Sequence, residues 1–76
     1  MKLYEVILTK YDENNVPMDS TVVGVKSNEA LTIQEMEEEL ESEIENLEYE
    51  GILYMDEIGE EYFKDLCENE VAIFAI

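Results

Sequence analysis

The chain has no histidine, one cysteine, one proline, three glycines and only four basic residues among 76. Each shortage closes off a class of function. Without histidine no side chain titrates near neutrality by default, and Ser20, Ser27 and Ser42 have no evident base beside them. A lone cysteine excludes an internal disulfide framework and fits a reducing compartment. Cys67 falls on the apolar side of a predicted helix, where a free cysteine serves as a small buried hydrophobe. Its acidic neighbours Asp65 and Glu68 do not favour a reactive thiolate. No apolar run approaches the roughly 18–20 residues of a membrane span. Residues 1–15 alternate in polarity and carry two lysines, Lys2 and Lys10, with no signal-peptide core. The expected location is the cytosol, or the cytosol of a host cell.

The shortage of bases is set against 21 acids, a net charge of −17. Phosphates repel such a chain, which argues against direct binding to DNA, RNA or anionic lipid. It argues for a basic protein surface or for cations. Solubility alone asks for a net charge of roughly 2–8 on a small domain. Hydrophobic residues make up 46%, enough for one core and one domain over residues 1–76. At this size folding hides only about 60% of the extended-chain surface, so stability is marginal. Apolar surface left over on so small a chain leaves a homodimer open.

The acids concentrate in 32–50, TIQEMEEELESEIENLEYE, which the spacing predicts as one helix. Ile33, Met36, Leu40, Ile44 and Leu47 form an apolar stripe. Between them stand eight glutamates, Glu35, Glu37, Glu38, Glu39, Glu41, Glu43, Glu45 and Glu48, and no base. Glu35/Glu39, Glu37/Glu41, Glu39/Glu43 and Glu41/Glu45 are like-charge pairs at i,i+4, each costing roughly 0.2–0.5 kcal/mol. Thr32 stands three residues before Glu35, the spacing of a capping box. Gly51 is the expected stop.

Elsewhere the pattern predicts strands at 2–11 and 20–26, joined through the turn-rich 12–19 as an antiparallel hairpin. Tyr4, Val6 and Leu8 share one face, as do Thr21, Val23 and Val25. Gly24 marks a bulge or a close contact. Ile52–Met55 is either a short strand or an extended linker. Residues 56–69 read as a second helix with Ile58, Tyr62, Phe63, Leu66 and Cys67 inward, ending near Asn69. The apolar 71–76, VAIFAI, calls for a strand in the sheet interior, or one covered on both faces. The expected fold is α+β: a small antiparallel sheet of hairpin plus C-terminal strand, with two acidic amphipathic helices packed on one face.

With both helices on one face, their acids would make a continuous anionic ridge. From Glu29 to Phe63 there are 14 acids and no base. On the first helix the charges fall about 2.5 Å apart at 1.5 Å rise per residue. Duplex DNA presents one per ≈ 1.7 Å and a single strand one per 3.4 Å. The candidate partner-binding residues are Glu37, Glu38, Glu41, Glu45, Glu48, Asp56, Glu57, Glu60 and Glu61. Tyr49 and Tyr54 either anchor an interface or pack over the core edge. Residues 12–19 lack the glycine and terminal glutamate of a calcium loop. No cofactor or dedicated metal cage is expected.

Small size, a single domain, extreme acidity and no catalytic apparatus together resemble phage-encoded DNA-mimic proteins that block host restriction, CRISPR or repair enzymes. The likeness is one of composition and charge. It implies a non-enzymatic inhibitor seated in the basic nucleic-acid cleft of a defence or DNA-processing enzyme. An acidic adaptor for another basic protein, a weak divalent-cation binder and a merely solvated acidic face are the alternatives.

Overall fold

A computed structural model describes residues 1–76 throughout. The element order is β1 (Lys2–Tyr11), β2 (Pro17–Ser27), α1 (Ile33–Glu39), α2 (Glu41–Asn46), β3 (Gly51–Glu57), α3 (Glu60–Glu68) and β4 (Ala72–Ala75). The fold is α+β, with a four-stranded sheet ordered β3-β1-β2-β4. β1 pairs antiparallel with β2 and with β3, while β4 pairs parallel with β2. The sheet is therefore mixed rather than wholly antiparallel.

The hairpin forms where alternation demands it. Tyr4, Val6 and Leu8 stand opposite Val25, Val23 and Thr21 on one face. That face carries the main core, closed by Met36, Leu40 and Ile44 from α1 and α2 and by Ile52 from β3. Asp12 shapes the turn: its carboxylate accepts the N–H groups of Asn14 and Val16, and Asn15 takes a positive φ of 61°. Thr32 and Glu35 make the capping box, with bonds of 3.1 and 2.9 Å.

The expected single helix is two short ones. The break falls at Leu40, whose φ of −99° and ψ of 10° leave the helical region. Leu40 still donates to the Met36 carbonyl, and Ile44 to that of Leu40. Met36, Leu40 and Ile44 thus stay on the core, while the ends of the stripe, Ile33 and Leu47, are exposed. The break lies between the members of Glu37/Glu41 and of Glu39/Glu43, where a continuous helix would stack like charges. The left-handed residue that ends α2 is Glu48, φ 65°, three positions before Gly51. Gly51 opens β3, where a Cβ would lie 3.0 Å from the Glu37 carboxylate.

The two helical layers occupy opposite faces of the sheet. α3 lies on the face that carries Glu5, Gly24 and Ile73. Tyr62 reaches Glu5, and a Cβ on Gly24 would meet Ile73 at 2.6 Å and the Phe63 ring at 3.1 Å. The cause is topological. β2, β3 and β4 all run parallel to one another. The β2-to-β3 crossover steps over β1 in one direction, and the β3-to-β4 crossover returns across the whole sheet. Two crossovers of the same hand travelling in opposite directions must use opposite faces. β4 is consequently delivered to an edge, half-buried, and not to the interior. α3 begins at Glu60, after Gly59 as its N-cap, so Asp56 and Glu57 belong to β3. Phe63 and Leu66 face inward, Tyr62 and Cys67 outward, and Asn69 ends the helix.

Gly24 is the close-packed joint between α3 and the sheet. Gly24→Val should cost about 1–3 kcal/mol by overpacking. Thermal unfolding measures the loss, and amide exchange should show α3 loosening before α1 and α2.

Candidate functional site

α1, α2 and the return to β3 enclose an open groove of ≈ 490 Å³, lined by Gln34, Glu37, Glu38, Glu41, Ile44, Glu45, Tyr49 and Glu50. Its residues come together because positions 34, 37, 38, 41 and 45 follow the helical period along one flank, beside the buried stripe. The chain then turns at Glu48 and brings Tyr49 and Glu50 back along the same flank. Of the acids anticipated from the sequence, Glu37, Glu38, Glu41 and Glu45 converge here.

The carboxylates are not equivalent. Glu37 is half-buried, and its Oε2 lies 3.4 Å from the Ile52 N–H, tying α1 to β3. Glu50 accepts the Tyr11 N–H at 3.1 Å. Both therefore serve the frame as well as the groove. Glu38, Glu41 and Glu45 are exposed, and their carboxylates accept no hydrogen bond within the protein. Ile44 and Tyr49 supply an apolar floor. Lys10 lies above the Tyr49 ring, 5.5 Å from its centroid.

The remaining anticipated acids lie elsewhere. Glu48 occupies the turn between α2 and β3. Asp56 and Glu57 end β3, with Glu57 paired to Lys2 at 3.4 Å, an exposed contact of small energetic weight. Glu60 and Glu61 open α3 on the opposite face. The acids of the two helical layers therefore do not form one ridge; the sheet stands between them.

The face that carries α3 has its own arrangement. Glu5 and Asp56 are cross-strand neighbours, a like-charge pair. Tyr62 donates its hydroxyl to Glu5 at 2.6 Å, and Tyr54 lies beside Asp56. Hydrogen bonding to Glu5 and the charge of Glu5 push the Tyr62 phenol above its ordinary 10.0. The charge of Asp56 raises Tyr54 in the same way. Sequence reasoning passed over Gln34 and Glu50 in the groove, and Glu5 and Tyr62 here. Helical spacing from Glu38 and Glu41 pointed to Gln34; strand alternation in β1 and β3 placed Glu5 with its neighbours. Nothing local signalled Glu50.

The chain matches no family model, no curated protein and no solved structure. No group of three or more Asp, Glu or Cys side chains has the geometry to hold a metal ion. No helix is long and apolar enough to cross a membrane. The arrangement can present fixed anionic charge over an apolar floor.

Raised tyrosines favour the folded state while protonated. Their contribution is complete below the unfolded value near 10.0 and is lost as pH rises through the folded values. In an alkaline absorbance titration, Tyr54 and Tyr62 should ionise above the ordinary phenol value of 10.0. Tyr62→Phe should remove one late step and flatten the fall in stability above pH 10.

Proposed function

We propose that this chain is a non-enzymatic acidic binding protein, a DNA-mimic inhibitor that seats its α1–α2 flank in a basic nucleic-acid cleft. The groove formed by Glu37, Glu38, Glu41, Glu45 and Glu50 supports this reading best. Five carboxylates converge there with no base among the lining residues. Three of them, Glu38, Glu41 and Glu45, are free to meet lysine or arginine. Ile44 and Tyr49 beneath them offer apolar contact to the stems of those cations. The target class is an enzyme that holds phosphates, such as a restriction, CRISPR or other DNA-processing protein of a host. Electrostatic steering speeds the encounter, and salt weakens it. The mimic surface is one flank of the protein, shorter than the ridge imagined from sequence, so its footprint is that of a few phosphates.

A specific observation favours one competing reading. Leu53, Tyr54 and Tyr62 are about half exposed on β3 and α3, away from the groove. An adaptor for a basic protein anchored there would bind through apolar contacts and depend little on salt.

The two readings separate in one experiment. Tagged protein is used to retain partners from a bacterial lysate, washed at rising salt and with competing duplex DNA. A mimic should release a nucleic-acid enzyme to both washes. Against that enzyme, Glu38→Lys and Glu41→Lys should each weaken binding about tenfold, ~1.4 kcal/mol, without lowering the unfolding temperature. A partner indifferent to salt and DNA but lost with Tyr54→Ala would transfer the function to the α3 side.

A further inference from the structure

β2 is eleven residues long, but β4 pairs only with Val23 to Lys26. Ile76 donates to the Lys26 carbonyl, so the even-numbered residues of β2 turn their backbone groups to the β4 side. Upstream of β4 that side carries the N–H and C=O of Ser20 and the N–H of Val22. None of the three has a partner within the protein. Beside them lies a groove of ≈ 670 Å³, walled by Val22, Leu47, Tyr49, Glu70 and Val71 among others. The edge is therefore open at a place where the fold supplies both a hydrogen-bonding ladder and an apolar wall.

We infer that this notch takes an extended, basic segment of a partner protein, which adds as a strand against Ser20–Val22 in line with β4. The unpaired backbone groups supply the ladder of strand addition. Alternation fits the walls: apolar side chains on one side of the added strand meet Leu47 and Tyr49, and cationic ones on the other meet Glu70. Charge selects the occupant. A second copy of the chain brings another −17, whereas a lysine-rich segment is attracted. The other edge of the sheet is closed to this use. β3 is bulged next to Ile52, the Glu37 carboxylate covers the Ile52 N–H, and Asp56 and Glu57 guard its end. The inference is separable from phosphate mimicry by the α1–α2 flank, because it rests on the backbone groups of β2; of the lining residues the two surfaces share only Tyr49.

The probe is an acetylated hexapeptide alternating valine and lysine, titrated into isotope-labelled protein at about 0.15 M salt. Strand addition should slow amide exchange at Ser20 and Val22 about tenfold or more at saturation. The fully N-methylated peptide keeps the charges and loses the donors, and should bind at least about tenfold more weakly. Leu47→Asn, which removes the apolar wall without adding charge, should weaken the parent peptide. Equal binding of the two peptides would overturn the inference. So would protection confined to the Glu37–Glu50 groove, or protection of Ser20 and Val22 that grows with protein concentration alone.

Discussion

The arrangement of every surface follows from one constraint: two crossovers of the same hand must travel in opposite directions over a sheet with β1 near its middle. β1 is flanked by antiparallel neighbours, so β2 and β3 are parallel and need a crossover between them. That first crossover is α1–α2, and its apolar stripe closes the core over Tyr4, Val6 and Leu8. The second, α3, has to return from one edge to the other and is left only the opposite face. Gly24 is the point where it can come close, since a side chain there would stand between Ile73 and Phe63. The division of the acids into two separate fields is thus a consequence of chain topology, decided before any charge is placed.

Charge then works against the fold, and local hydrogen bonding limits the damage. Twenty-one acids face four bases, and the single ion pair, Lys2 with Glu57, is exposed. Where a carboxylate is held, a backbone N–H or a phenol usually holds it. Glu35 caps Thr32, Glu37 and Glu50 accept strand N–H groups, Asp12 organises the hairpin turn, and Tyr62 donates to Glu5. These bonds are charge-assisted and require no cation. The acids without such bonds crowd the exposed flank of α1 and α2, whose break at Leu40 interrupts the stacking of like charges. A surface free of internal partners keeps its carboxylates available to an external one.

Much of the local structure was legible in the sequence, because it depends on near neighbours. The alternation of Tyr4, Val6 and Leu8, the Thr32–Glu35 cap and the stop at Asn69 all appear as read. The α+β class followed from them, and four of the nine candidate acids do share a groove. What escaped was non-local. VAIFAI looked like an interior strand because its composition is apolar, yet its place was set by where α3 delivers it. Cys67 looked inward on a helix begun at Asp56; with β3 extending to Glu57 and α3 starting at Glu60, it faces out. The Leu40 break carries no glycine or proline to announce it. The shared-face assumption failed for lack of a handedness argument, which requires the strand order and not merely the strands.

The same charge that strains the helices explains why an open sheet edge can persist. An unpaired, apolar edge such as β4 with the upstream part of β2 is ordinarily a template for self-association. Proteins blunt such edges with a bulge, a charge or a cover, and β3 shows all three kinds of protection. β4 shows none on its own strand, where Ala72, Ile73, Phe74 and Ala75 carry no charge. Protection there is global instead: any second copy approaching the edge meets a field of −17 facing −17, before a hydrogen bond can form. Such a defence discriminates by sign. It turns away the chain's own kind and anionic polymers, and it leaves the edge accessible to a cationic chain.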